Sequence, residues 1–361
     1  MEHHSNDLPH RKHAKKVVHI PLDNHDGQPG CINVQFLENT LKQNQGNVSY
    51  VAVTGVSNVT GIINPIYDIA ELAHSYDTFI IVDGAQMVAH LPVKISGHKN
   101  QNRNIDAFVF SGHKAYAPAS PGTVICRKDI LSSIEPEEVG GGMVEHVFLD
   151  RYIVSEAFPA REEAGTPNIA GAIGIAAVIE VLDTIGMELI FTEESELIHY
   201  TLDNLKDIPD IQIYGVADTS ICERSACISF NIKDMDHGLV AAILNDYFNI
   251  AVRNECFCAH PYVKEMIMDD LLAATTSINE EDFEDAFQLK SGMVRASFGI
   301  YNTEKDVDEL VKAISDISEK REKYTSQYKP DNSGNYTHTS FKMNRQDRFS
   351  IKAYIDQYVN Q

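Results

Sequence analysis

The sequence predicts an α/β fold, with a mostly parallel sheet in a large domain and a smaller α/β domain after it. Three observations point that way. Two short runs rich in Ile, Val and Phe, Ile80–Val82 and Ala107–Phe110, end abruptly in polar residues, Asp83-Gly-Ala-Gln86 and Ser111-Gly-His113-Lys114. Buried strands of a parallel sheet read this way when their C-terminal ends carry a site. Strand-like and helix-like segments alternate through the first half of the chain. Finally, 361 residues with 43% hydrophobic content can bury a large core and still supply a second one. The domains predicted are 1–185, 186–324 and a polar tail, 325–361, with no assigned structure.

Taken in order, Lys16 to Leu22 alternates as a strand, Asp23 to Gly30 is a turn cluster, and Val34 to Gln43 has helical apolar spacing. A strand from Ser49 to Thr54 leads into the polar loop Ser57-Asn58-Val59-Thr60-Gly61, and Pro65 opens a helix reaching about Tyr76. Thr78 to Val82 returns to the sheet. His98 to Asn104 is a loop insertion, and Tyr116 to Gly122 has the Pro and Gly content of a loop before a strand at Thr123 to Cys126. Gly140-Gly141-Gly142 is a turn. Glu163 to Asn168 is a helix-start signal, with Pro167 in the first turn of a helix from Ile169 to Leu182.

The second domain begins with a long helix to Asp207. Strands follow at Ile211 to Tyr214 and Ala226 to Ile232, a helix at Gly238 to Phe248, and a strand at Ile250 to Arg253. Val263 to Gly292, strongly acidic from Ile278 to Asp285, is predicted to be an inserted helix or lid. Met293 begins a strand, and Thr303 caps a helix to about Lys323.

Thirty basic and 52 acidic residues give a net charge of −22, which argues against nucleic acid or an anionic membrane as partner. A small anionic ligand would need local positive charge. No apolar run has the length of a membrane span and the first residues lack a signal-peptide pattern, so the expected location is the cytoplasm. Six scattered cysteines read as thiols, not as a disulfide framework. Metal readings of His3, His4, His10 and His13, or of Cys256-Phe-Cys258 with His260, lack a completing ligand set, and no metal is expected.

The chemistry lies at the two strand ends. Taken singly, Asp83 is an ordinary turn aspartate and Lys114 a solvated lysine. As a pair they suit a pyridine cofactor, pyridoxal 5′-phosphate (PLP): Lys114 can form a Schiff base with an aldehyde while Asp83 keeps a ring nitrogen protonated.

Six motifs then occur in one order: Ser57-Asn-Val-Thr-Gly61, Val82-Asp-Gly-Ala-Gln86, Ser111-Gly-His-Lys114, Glu163-Ala-Gly-Thr-Pro-Asn168, Ala251-Val-Arg253 with Cys256-Phe-Cys-Ala-His-Pro261, and Arg295-Ala-Ser-Phe-Gly-Ile-Tyr-Asn-Thr303. Together they resemble the class V aminotransferase superfamily, most closely its cysteine desulfurase and selenocysteine lyase branch. The resemblance implies the PLP-dependent transferase fold type I and a homodimer. It assigns Lys114 to the Schiff base, Gln86 to the cofactor's phenolic oxygen, and Ser111, His113 and the other subunit's Thr166 to the phosphate. His3 would stack on the ring and handle protons, and Asn58 would bond the substrate carboxylate or the cofactor. Arg295 would clamp the carboxylate, Arg253 would match the arginine before the nucleophile, and Cys258 would be the nucleophile.

The activity so implied is removal of sulfur from L-cysteine through a Cys258 persulfide, with L-alanine released and sulfur passed to an acceptor protein. Three departures keep two alternatives open: a class V aminotransferase, lyase or epimerase without desulfuration, or an inactive relative acting as a binding protein. Glu255 stands where desulfurases generally have Gly, and an added acid opposes thiolate formation. Pro9 is followed by His10 where the family usually has Trp. The family's phosphate-holding Gly/Thr turn at a helix N-terminus has no counterpart after Met1. The expectation is therefore an amino-terminally truncated large domain that binds PLP weakly and self-associates.

Overall fold

A computed structural model describes residues 1–268, 292–331, 334–341 and 350–359. A short helix, α1 (Leu8–His13), precedes the antiparallel hairpin β1 (Leu22–His25) and β2 (Gln28–Ile32). This corrects two expectations, because 16–21 form no strand and the residues read as a turn cluster make the ladder. The hairpin closes through Asp26 and Gly27, both at positive φ, so local turn geometry sets its pairing and apolar alternation does not.

The large sheet follows in order. Helix α2 (Val34–Gln43) leads to β3 (Tyr50–Thr54), α3 (Ile66–Ser75), β4 (Phe79–Asp83), β5 (Ala107–Ser111) and β6 (Gly122–Cys126). The sheet order is β3-β4-β5-β6, with β3, β4 and β5 parallel and β6 antiparallel to β5. Val53, Ile69, Ile80 and Val82 are wholly buried between sheet and helices, which fixes the polar C-terminal ends of β4 and β5 side by side. The insertion at 98–104 is a surface connection tied to α3 by Arg103 with Asp68 and Glu71.

After α4 (Lys128–Ser132) and the hairpin β7 (Val144–Val147) and β8 (Tyr152–Val154), helix α5 (Ile169–Ile185) meets α6 (Met187–Leu205) at 77°. Gly186 makes that break at φ 98°, a conformation that disfavours any side chain. Pro167 lies outside α5, whose N-cap is Asn168, with Oδ1 accepting from Gly171 N–H at 2.9 Å. Among the described residues no single helix is long and apolar enough to cross a membrane.

The second sheet is antiparallel, ordered β11-β12-β10-β9, from β9 (Ile211–Ile213), β10 (Cys227–Ile232), β11 (Arg253–Glu255) and β12 (Met293–Ser297). Helices α6, α7 (His237–Phe248) and α9 (Glu304–Glu319) cover it around Ile228, Phe230, Ile243 and Ile314. β11 begins three residues later than predicted. Asn249 ends α7 in the left-handed conformation, Ile250 and Val252 pack on the core, and pairing starts only where Arg253 faces Arg295.

Between these lies α8 (His260–Met266), and most of the predicted 263–292 insertion falls outside the described residues. α9 starts after Thr303, whose backbone N–H donates to Asp306 Oδ2 at 2.8 Å, and ends at Lys320 before a short α10 (Arg321–Thr325). The tail is not featureless. β13 (Tyr328–Pro330) and β14 (Tyr336–His338) form a hairpin that buries Tyr328 in the second core, and α11 spans Ile351–Val359.

Candidate active site

Asp83 is the last residue of β4, level with Thr54 on β3 and Val109 on β5. Its buried carboxylate accepts from Ala85 N–H through Oδ1 at 2.9 Å, which leaves Oδ2 for a ligand donor. Gly84 is required by close approach, since a Cβ there would lie 1.9 Å from the Phe108 ring. One strand over, Ser111 ends β5 and a 3-10 turn, Gly112–Ala115, carries His113 and Lys114. Tyr116 ends that turn at φ 60°, and its hydroxyl accepts from Ile300 N–H at 3.1 Å, tying the lysine turn to the segment after β12.

The cysteine loop comes to this place from the second sheet. Asn58, buried in the loop after β3, donates from Nδ2 to Phe257 O at 2.7 Å. Arg295 Nη1 donates to Asn58 O at 2.6 Å, and its guanidinium lies 4.8 Å from the centre of the Phe257 ring. Its Nε is buried without a partner among the described residues. These contacts hold Glu255, Phe257 and Cys258 at φ of 87°, 53° and 56°. Cys258 is exposed and Cys256 is buried.

The amino-terminal segment closes the third side. His4 N–H donates to Cys258 O at 2.7 Å, His4 Nε2 accepts from His260 N–H at 3.2 Å, and the two rings sit 4.7 Å apart. Glu2 accepts from Thr54 N–H at the end of β3. His3 Nδ1 accepts from Ser5 N–H at 3.1 Å, so a neutral imidazole carries its proton on Nε2.

Charge gathers here. Burial pushes the Lys114 amine below its ordinary value; Asp83 opposes that shift, Arg295 and Arg253 add to it, and Cys258 opposes it. Burial also lowers the His3 imidazole, helped by Lys114 and opposed by Asp83. The Cys256 thiol is pushed up to about 11 by burial, with Lys264 opposing and Glu255 adding to the effect. So Lys114, Arg295 and Arg253 gather with Asp83 and the exposed Cys258 in a chain of net charge −22, a basic cluster that suits a small dianion or carboxylate.

Lys114, Asp83, His3, Arg253, Arg295 and Cys258 are thus within electrostatic reach of one another. Gln86 and Ser111 are half-buried at the strand ends beside them and His113 is exposed, whereas Thr166 is exposed in the segment before α5. Sequence reading gave Glu2 and Phe257 no role of their own and weighed His4 and His260 only as metal ligands, because each acts here through a contact between distant parts of the chain. Of the histidines weighed as metal ligands, His10 bonds Tyr50 and Asn6, and His13 faces Glu137.

The residues present fit PLP. Asp83 keeps an open oxygen, and Lys114 is a half-buried amine whose lowered value favours the neutral nucleophile.

Comparison with known proteins bears on the same region. The family model Aminotransferase class-V matches residues 1–310. A probable cysteine desulfurase from Halalkalibacterium halodurans is 35% identical over 323 residues, spanning 88% of this chain and 70% of the relative. Among solved structures, the apo cysteine desulfurase from Thermococcus onnurineus NA1 superposes with a TM-score of 0.73 at 30% identity, covering 88% of this chain and 71% of that one. The cysteine desulfurase CsdA from Escherichia coli, solved in an S-sulfonic acid form, gives 0.71 at 30% identity, covering 88% and 70%.

Proposed function

Since the chain belongs to the class-V aminotransferase family and has the fold of its PLP-dependent enzymes, we propose that it takes sulfur from L-cysteine. Its relatives of 33–35% identity are named cysteine desulfurases, and the family is in general PLP-dependent. The observation that carries the reading is the exposed thiol of Cys258 in electrostatic reach of the half-buried Lys114, which also interacts with the buried Asp83.

Lys114 would hold PLP as a Schiff base, Asp83 would pair with its ring nitrogen, Gln86 would meet its phenolic oxygen, and Ser111, His113 and Thr166 of a second copy would hold its phosphate. When bound, PLP draws electron density from the substrate's α-carbon, which lets the carbon–sulfur bond break. Arg295 binds the substrate carboxylate, since a planar guanidinium already braced on Phe257 and Asn58 O loses little freedom on doing so. Asn58 acts through the loop it fixes, and Arg253 adds positive charge near Lys114. His3, with Nδ1 tied to Ser5 N–H, exchanges protons at Nε2. Cys258 thiolate attacks the substrate sulfur. The carbon–sulfur bond breaks, the carbon takes a proton and leaves as L-alanine, and the sulfur remains as a Cys258 persulfide for an acceptor protein.

The test adds PLP and then L-cysteine and measures visible absorbance, alanine and sulfide. Lys114→Ala should lose the absorbance of the bound cofactor. Cys258→Ala should keep it and lose sulfide release by roughly a hundredfold or more, while Cys256→Ala keeps both. Equal sulfide from Cys258→Ala and the unaltered chain would instead favour a class V enzyme that does not desulfurate.

A further inference from the structure

Away from this site, two thiols meet across the chain. Cys31 lies in β2 and Cys222 lies 191 residues later in the segment before β10, yet their sulfurs are 3.6 Å apart. Cys31 Sγ is also 3.4 Å from Ile63 O. The approach is fixed on both sides by hydrogen bonds. Val216 N–H donates to Pro29 O, Gly215 N–H to Gln28 Oε1, and Ile63 N–H to Glu223 O. A Cβ on Gly30 would lie 3.2 Å from Cys222 Sγ, so the β2 backbone is seated directly against that sulfur. Cys222 is 3% exposed, whereas Cys31 is half-buried and open to a small reagent.

We propose that Cys31 and Cys222 form a redox-modification site that takes a small peroxide and closes to an intramolecular disulfide. Cys31 sulfur attacks one peroxide oxygen, the O–O bond breaks, and water leaves behind a sulfenic acid on Cys31. Cys222 sulfur then attacks Cys31 sulfur, the S–O bond breaks, and a second water departs. Two thiols are oxidised and one peroxide is reduced to two waters, and a dithiol reverses the bond by exchange.

The bond would join the first hairpin to the entry of the second sheet, across a small apolar cluster of Ile62, Val216 and Cys222 on which Met1 also packs. Met1 leads to His3, so the pair forms the floor of the segment that delivers that imidazole. Burial, with Cys222 adding to it, pushes the Cys31 thiol up to about 12, so oxidation is slow at neutral pH and accelerates as pH rises.

The test treats the full chain and its Cys258→Ser variant with hydrogen peroxide, then maps non-reduced peptides. The expected result in both is a Cys31–Cys222 cross-linked peptide within one chain. It should be absent in Cys31→Ser, reversed by dithiothreitol, and accompanied by a melting temperature higher by on the order of 5 °C. Cys31→Ser tolerates its half-buried position, and its melting curve before oxidation shows that it is folded. Cys31 and Cys222 both still alkylatable after Cys258 is fully oxidised, or a link only between chains, would overturn the proposal.

Discussion

Glu255 sits at φ 87°, where a side chain is strained and glycine is not. Replacing it with Gly removes that strain but loosens the unfolded chain, so Glu255→Gly should stabilise the protein by about 0.5–1 kcal/mol net, read from a urea midpoint. A destabilised variant would mean the loop relaxes at no cost around Glu255. Lys114 offers a second test at this scale. A lysine whose amine is lowered on folding penalises the folded state at low pH, and the penalty fades as pH rises through the folded value and is gone above the unfolded one. Removing the amine in Lys114→Met should therefore raise the melting temperature of the cofactor-free protein at pH 7, with the gain shrinking toward pH 10. A gain that grows with pH would contradict the lowered value. The positions of Asp83 at the end of β4 and of Lys114 in the turn just after β5 were legible in the sequence because each closes an apolar run, a signal contained within a few residues. The left-handed Glu255, Phe257 and Cys258 were not, since none is Gly or Asn and the tertiary contacts of Asn58 and His4 impose their conformation.

Among the elements, β4 and β5 could be read because both are apolar up to their last residue, with Ile80, Val82, Phe108 and Phe110 buried. The hairpin β1–β2 could not, as Leu-Asp-Asn-His and Gln-Pro-Gly-Cys-Ile carry no alternation and depend on the turn at Gly27. β11 was displaced for a related reason. Its apolar residues Ile250 and Val252 serve the core, while Arg253 to Glu255 make the ladder. One contact that joins the two sheets at the site is the Asn58 amide on Phe257 O. Asn58→Ala leaves that buried carbonyl without a donor, so it should cost about 1–3 kcal/mol. It should also free the cysteine loop, seen as faster proteolytic cutting near Cys258. A loss of stability with unchanged cutting would confine Asn58 to its own loop.

For the whole molecule, the charge balance and the site pull in opposite directions: a chain of net charge −22 concentrates Lys114, Arg253 and Arg295 near Asp83. That concentration suits a small anion, and Thr166 lies exposed before α5. The same helix buries Gly171, Ile175 and Leu182 on one side and leaves Ile169 and Ile173 more than half exposed on the other. We propose that this exposed apolar face is the interface of a homodimer, with each copy lending Thr166 to the other. Ile173→Glu places a charge on that face and should convert a dimer to a monomer by sedimentation. It should also weaken PLP binding roughly tenfold or more, because one phosphate hydrogen bond worth about 1.5–3 kcal/mol goes with the partner. Thr166→Ala should give the same loss of PLP affinity while the mass stays that of a dimer. If Ile173→Glu remains dimeric, α5 is not the interface, and if Thr166→Ala binds PLP undiminished, the threonine serves only its own turn.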